Sequence, residues 1–305
     1  MKYKVKKPIV LDVSRWQGPV DWTQVAPRPV LVICRASEGV DYTDPNFAAN
    51  WNGLQALNIR RGAYHYFHPE MDAAQQFANY QKSVTQVGGF LPTDISPVLD
   101  VEGLDAATPD QRKGAATAIR TWLDQAQVFS GRTPMIYTSK YQWGFVTDPG
   151  SGKPPAWSGN YPLWVAWLPD KPDKNSVPAT SALPTGWKQW AIWQYGNDGQ
   201  ITGVNALVDL NILSDWFAKQ LGQLPPPPGQ QVVVGKVIAS NGVNVRTDFN
   251  VNAKIIGGLV AGTTVKGASV KVISPSEAWL ELRDPMVGWC AIVYNGTVLI
   301  SVITG

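Results

Sequence analysis

Cysteine and histidine are scarce in this chain, with two of each in 305 residues. Cys34 and Cys290 stand far apart, on either side of a proline run, which argues against a disulfide framework. His65 and His68 are neighbours in Tyr64-His65-Tyr66-Phe67-His68. A zinc site needs further ligands at metal-binding spacing, and none is evident, so no metal and no cofactor is expected. Charge is also sparse, at 16% of residues with a formal net of +3. That balance is too near neutral to favour nucleic acid or a membrane surface. No apolar run is long enough to span a bilayer, so membrane insertion is not expected. The lysine-rich start, Lys2 to Lys7, has no apolar core after it; Asp12, Ser14 and Arg15 arrive at once, and no secretion signal is expected. Aromatic residues, by contrast, are plentiful: fourteen Trp and ten Tyr. Aromatic faces stack on sugar rings as readily as they fill cores.

The run Pro225-Pro226-Pro227-Pro228 favours a stiff polyproline II spacer. It predicts three parts: a catalytic-sized domain over 1–222, a linker over 223–231 and a small domain over 232–305. The first part alternates apolar runs with helical stretches. Ile9–Val13, Val30–Arg35, Gly62–Phe67, Ser96–Glu102, Pro134–Tyr137, Leu163–Trp167, Ala191–Tyr195 and Ala206–Asp209 read as strands buried on both faces. Asp44-Pro45 reads as a helix start, with Phe47, Trp51 and Leu54 on one side. Thr108-Pro109-Asp110-Gln111 reads as a capping box, closed later by Gly131. Eight strands with interleaved helices predict an α/β barrel of the TIM type. After Tyr137 the helical signal fades and 147–160 and 169–186 look like long loops, so the barrel is expected to be irregular there. The last part breaks into short alternating runs punctuated by Gly and Asn, which predicts a small all-β barrel.

The most telling motif is Ser96-Pro97-Val98-Leu99-Asp100-Val101-Glu102. A buried strand that ends in acids at i and i+2 puts both on one face, with Cα atoms about 6.5–7 Å apart. Two like charges that close raise one pKa and hold a proton near neutral pH. A protonated acid beside an ionised one suits cleavage of a glycosidic bond. In a TIM-type barrel catalytic groups gather at the C-terminal strand ends. Reading those ends adds Asp12 after the first strand and Asp209 at the close of the last. Each alone could cap a turn or pair with Arg15, Arg35 or Lys188. Four carboxyls converging on one mouth would be costly without a use.

The barrel segment resembles the glycoside hydrolase family 25 lysozymes. The resemblance rests on Leu11-Asp12-Val13-Ser14-Arg15-Trp16-Gln17-Gly18, Arg35-Ala36-Ser37-Glu38-Gly39, Gly62-Ala63-Tyr64-His65-Tyr66 and Leu99-Asp100-Val101-Glu102. It continues through Met135-Ile136-Tyr137-Thr138, Leu163-Trp164-Val165-Ala166-Trp167, Ile192-Trp193-Gln194-Tyr195-Gly196 and Val208-Asp209-Leu210-Asn211. It implies cleavage of the β-1,4 bond between N-acetylmuramic acid and N-acetylglucosamine in peptidoglycan. On the matching positions Glu102 would be the general acid. Asp100 would orient the 2-acetamido group as it attacks the anomeric carbon, or act as nucleophile in its place. Asp12 and Asp209 would line the floor. Tyr64, Tyr66, Tyr137, Trp167, Trp193 and Tyr195 would wall the cleft, and Glu38 would be a cleft residue or an ion-pair partner of Arg35 or Arg60. The chain departs from the family after Leu163–Trp167, where Trp167-Leu168-Pro169 replaces a His or Tyr.

The last part resembles bacterial SH3-type wall-binding modules through Gly242-Val243-Asn244-Val245-Arg246, the stretch 255–263 and Gly288-Trp289. It implies a second contact with peptidoglycan, through its peptide part, and a gain by effective concentration. A wall hydrolase with such a module and no secretion signal looks like a phage endolysin that collects in the host cytoplasm and acts after release. Two other readings stay open: a chitinase-like glycosidase on the same barrel, and a non-catalytic wall-binding protein.

Overall fold

The computed structural model describes residues 8–149, 151–169, 177–223, 233–284 and 288–303. The chain divides into two compact units, Met1–Pro225 and Pro226–Gly305. The proline run and the basic start lie outside the described residues.

The first unit is a closed barrel of eight strands. These are β1 (Val10–Val13), β2 (Leu31–Glu38), β4 (Arg60–Tyr66), β5 (Val98–Asp100), β6 (Met135–Ser139), β7 (Leu163–Ala166), β8 (Ile192–Gly199) and β9 (Val208–Leu213); a short β3 (Tyr42–Thr43) folds back on β2. From β1 through β2, β4, β5, β6, β7 and β8 every neighbour is parallel. β9 then runs antiparallel to both β8 and β1 and closes the ring. A TIM-type barrel has eight parallel strands, so the irregular TIM-type expectation is corrected at the last strand.

Side chains alternate across each strand, which divides the barrel into two cores. Val10, Leu31, Ile33, Val98, Met135, Trp164 and Ile192 fill the inside, and Phe217 and Leu221 of α5 (Asp215–Gln223) pack with them. Leu11, Val32, Cys34, Ala63, Leu99, Ile136, Val165 and Trp193 face outward into the larger layer beneath the helices. That layer receives Phe47, Trp51 and Leu54 from α1 (Phe47–Ala56), Phe77 and Tyr80 from α2 (Ala73–Gln86), and Ile119 and Trp122 from α3 (Pro109–Ser130).

Two expected helix signals behave differently. Thr108 and Gln111 form the reciprocal capping box of α3, and Gly131 ends it in the left-handed conformation. The Asp44-Pro45 start is corrected: α1 begins at Phe47 with Asn46 as its cap residue. Asp44 instead accepts from the Asn46 and Arg15 backbone N–H groups and from the Arg35 side chain. Between β6 and β9, the described residues outside the strands form no helix longer than the four-residue α4 (Lys140–Trp143) and short 3-10 turns, in line with the fading helical signal.

The inner face is tightly filled at Gly62. A Cβ there would lie 2.6 Å from Ile95 Cγ1 and 3.3 Å from Ile33 Cγ2. Gly62→Ala is expected to cost about 1–3 kcal/mol by overpacking, read as a lower urea midpoint with an unchanged slope.

The second unit is all-β. Its strands are β10 (Val233–Val237), β11 (Val243–Arg246), β12 (Ile255–Leu259), β13 (Thr264–Ser274), β14 (Glu277–Asp284), β15 (Gly288–Tyr294), β16 (Thr297–Val298) and β17 (Ile300–Ile303). All pairings are antiparallel. The last segment pairs with β15 through β16 and with β10 through β17, so the sheet curls back on itself around Val237, Val245, Leu280, Leu282 and Ile300. β13 is one long strand whose pairing with β14 is bulged, where the sequence suggests only short runs.

Candidate active site

The C-terminal ends of the parallel strands surround a cavity of about 470 Å³. Asp12, Asp100, Glu102 and Asp209 all line it, with Tyr64, Tyr66 and Tyr137. Asp100 ends β5, and Glu102 lies two residues beyond. Val101 between them donates its N–H to the Tyr137 carbonyl at 2.9 Å and buries its side chain in the outer layer, so the alternation holds past the strand's end. Gly103 then turns the chain with φ +70°, a conformation that favours glycine. Asp209 stands at the start of β9, not at its close. Because β9 runs backwards, its beginning is at the mouth, where Asp209 lies opposite Asp12.

A hydrogen-bond chain crosses this cavity. The Tyr137 hydroxyl donates to Gln194 Oε1 at 2.7 Å, and Gln194 Nε2 donates to Asp12 Oδ2 at 3.3 Å. Asn211 Nδ2 donates to the same Asp12 oxygen at 2.6 Å, and Trp164 Nε1 donates to Asn211 Oδ1 at 2.7 Å. Asp12 and Asp209 bond to each other, which requires one proton between them. The Tyr137 hydroxyl also contacts Glu102, and that contact favours the ionised acid.

All four carboxyls are pushed upward. Burial raises Asp12 most, with Asp209 adding to it. Burial likewise raises Asp100, helped by Glu102 and Asp12 and opposed by Arg35. Asp209 is raised by burial to about 6. Glu102 is raised by burial first, with Asp105 adding to it. Desolvation, more than the repulsion expected from neighbouring acids, leads in each case. Burial and the carboxyls also raise Tyr64 and Tyr137 well above the ordinary phenol value, so both are neutral donors.

Of the expected aromatic wall, the structure brings Tyr64, Tyr66 and Tyr137 to the cavity and not Trp167, Trp193 or Tyr195. Trp193 and Tyr195 are buried in the outer layer, and Trp193 donates its Nε1–H to the Trp167 carbonyl. Trp167 packs on Trp193 at 5.4 Å between ring centroids, and none of the three lines the cavity. They are corrected by phase: the inward residues of β7 and β8 are Trp164, Ala166 and Gln194. Glu38 is also outside this cavity. It is half-buried, accepts from Arg35 Nη1 at 3.1 Å and contacts His68 Nε2 at 3.1 Å, so the ion pair with Arg35 is what the structure contains. Arg35, Trp16, Gln17, Ser14, Leu168 and Asn197 complete the lining. Leu168 sits where the family pattern suggests a polar residue. Trp16 is exposed, with the Arg15 guanidinium 4.5 Å from its ring centroid. Among the described residues no cluster of His, Cys, Asp or Glu could hold a metal ion.

Residues 11–204 match the family model for "Glycosyl hydrolases family 25". The chain is 30% identical over 219 residues to Lysozyme M1 of Streptomyces globisporus, covering 69% of each protein. It is 27% identical over 212 residues to the N,O-diacetylmuramidase of Chalaropsis sp, covering 65% of this chain and 94% of that protein. The solved structure of a bacterial lysozyme from Streptomyces coelicolor matches with a TM-score of 0.60 at 25% identity, covering 72% of this chain and 98% of that one.

Proposed function

The chain belongs to glycosyl hydrolase family 25 and is a glycoside hydrolase, and from that premise we propose that it cleaves peptidoglycan at the β-1,4 bond between N-acetylmuramic acid and N-acetylglucosamine. The observation that carries this reading is the placement of Glu102 and Asp100 side by side in a cavity that raises both. Glu102, protonated, gives its proton to the glycosidic oxygen as the bond to the anomeric carbon breaks. The oxygen of the 2-acetamido group attacks that carbon from the opposite face. Asp100 accepts the acetamido N–H and stabilises the positive charge that develops on the group. Water then opens the ring so formed, and Glu102, now a carboxylate, takes the water's proton. This is a substrate-assisted variant of the two-carboxylate scheme.

Asp100 suits that task because its Oδ1 is buried and takes no hydrogen-bond partner among the described residues. An N–H donated to it favours the ionised Asp100 and leaves the shared proton on Glu102. Asp12 and Asp209 form the floor on which the sugar rests, Tyr64, Tyr66 and Tyr137 supply ring faces, and Tyr64 and Tyr66 add hydroxyl donors. A purely binding role would bury four carboxyls at a cost with no return.

The second unit is read as an SH3-type wall-binding module that holds the peptide part of the same polymer. Phe249 packs edge-on to Trp289 at 5.2 Å, with Lys271 Nζ 4.2 Å from the Phe249 centroid, an aromatic and cationic patch suited to a peptide. A glycosidase paired with such a module supports the finer reading of a phage endolysin, made in the host cytoplasm and acting on the wall after release. Among the described residues no helix is long and apolar enough to cross a membrane.

Digestion of purified peptidoglycan tests the bond. New reducing ends on muramic acid, identified by mass spectrometry after borohydride reduction, are expected. Reducing ends on glucosamine instead, or none, would overturn the assignment.

A further inference from the structure

Five buried side-chain polar atoms have no hydrogen-bond partner among the described residues, and two belong to residues that line the cavity. One is Asp100 Oδ1, an acceptor. The other is Arg35 Nη2, a donor. Arg35 is 6% exposed. Its Nε donates to Asp44 Oδ2 at 2.9 Å and its Nη1 to Glu38 Oε2 at 3.1 Å, which fixes the plane of the guanidinium and leaves Nη2 uncommitted. It is the one cationic side chain among the lining residues, and it acts on Asp100 and Tyr64 by charge. A buried guanidinium nitrogen without a partner costs free energy that a ligand oxygen would return.

The order of groups around the wall says which oxygen. Glu102 and Asp100 leave β5, Tyr64 stands on the next strand, β4, and Arg35 on the one after, β2. If Glu102 meets the oxygen on C1 and Asp100 the nitrogen on C2, Arg35 is the next group along the wall and meets the substituent on C3. In glucosamine polymers that substituent is a hydroxyl. In muramic acid it is a lactyl ether carrying a carbonyl oxygen, free as a carboxylate or amide-linked to the stem peptide. We propose that Arg35 is the specificity-determining residue of this cavity, its Nη2 donating to the lactyl carbonyl oxygen of the muramic acid whose acetamido group Asp100 holds. This rests on the function proposed above.

The test compares glycan strands stripped of stem peptides, which keep the lactyl carboxylate, with N-acetylglucosamine oligomers of equal length. Arg35→Lys keeps the charge beside Asp44 and removes the guanidinium fork. The expected result is a loss of about 10- to 100-fold in kcat/KM on lactyl-bearing strands, with glucosamine oligomers changed less than about 3-fold. An equal loss on both substrates, or none, would overturn the proposal. A second measurement needs no Arg35 variant. Calorimetric binding to Glu102→Gln should weaken about tenfold or more when the lactyl carboxyl is reduced to an alcohol; unchanged binding would overturn the proposal even if Arg35→Lys fails to fold. Wild type that releases no reducing ends from peptidoglycan would defeat the functional reading itself, whereas an unselective Arg35→Lys defeats only this inference.

Discussion

Glu102→Gln is expected to lower the release of reducing ends from peptidoglycan by about 10³-fold, within the range that a positioned general acid contributes. The amide has the size of the acid, and the Tyr137–Gln194–Asp12 chain does not run through residue 102, so the chain survives. What disappears is the proton for the leaving oxygen. The variant should fold as wild type does, because it exchanges a desolvated carboxyl for a neutral group of the same shape. Wild-type activity should be bell-shaped in pH. The two limbs report the successive ionisations of the coupled Asp100–Glu102 pair, both members displaced above the ordinary carboxyl range by burial. Glu102→Gln removes the basic limb from whatever rate remains. A fall of less than tenfold would show that another group supplies the proton.

The four carboxyls were legible because strand alternation and strand ends are properties of the chain itself. Asp100 and Glu102 share a phase, and Val101 between them goes to the outer layer. The same rule, carried round the barrel, sorts the aromatics. On β8 the inward residue is Gln194, bracketed by Trp193 and Tyr195, which belong to the outer core. Proximity to a strand end suggests Trp193 and Tyr195; only phase picks out Gln194 between them, and phase needs one anchored residue per strand. β7 supplies it: Ala166 lines the cavity and pairs with Gln194. The direction of β9 was also readable. Residues 200–207 join it to β8, too few for the crossover that a parallel strand needs, and long enough for a hairpin loop. Asp209 therefore lies at the mouth as the beginning of a reversed strand, not as the end of a parallel one. Arg35 was harder to find, because a sequence shows its candidate partners, Asp44 and Glu38, but not that one nitrogen of three is left over. Trp16 reaches the mouth on a 3-10 turn capped by Ser14, a local geometry that the alternation of strands does not describe.

Asp209→Asn should make the barrel more stable at neutral pH while weakening the enzyme. Asp209 is raised from its ordinary 3.8 to about 6 by burial, so the folded state holds a proton that the unfolded chain releases at lower pH. Its favourable contribution is complete below about pH 4 and is lost as pH rises through about 6. A carboxyl raised that far costs the folded protein up to roughly 3 kcal/mol at pH 7, an upper figure because Asp12 shares the proton. Asparagine removes the charge and can donate to Asp12, keeping the contact across β1 and β9. Urea unfolding followed by tryptophan fluorescence reports mainly the first unit, which holds twelve of the fourteen tryptophans. Wild type should lose stability from pH 4 to pH 7, and Asp209→Asn should show a shallower fall and a gain of about 1–3 kcal/mol at pH 7. If the variant is instead weaker at every pH, Asp209 is a structural partner of Asp12 and the floor carries no stored electrostatic cost. If it is more stable and slower on peptidoglycan, the barrel gives up stability at neutral pH to keep its acids desolvated. That same desolvation is the leading cause holding Glu102 above the ordinary carboxyl range for proton donation.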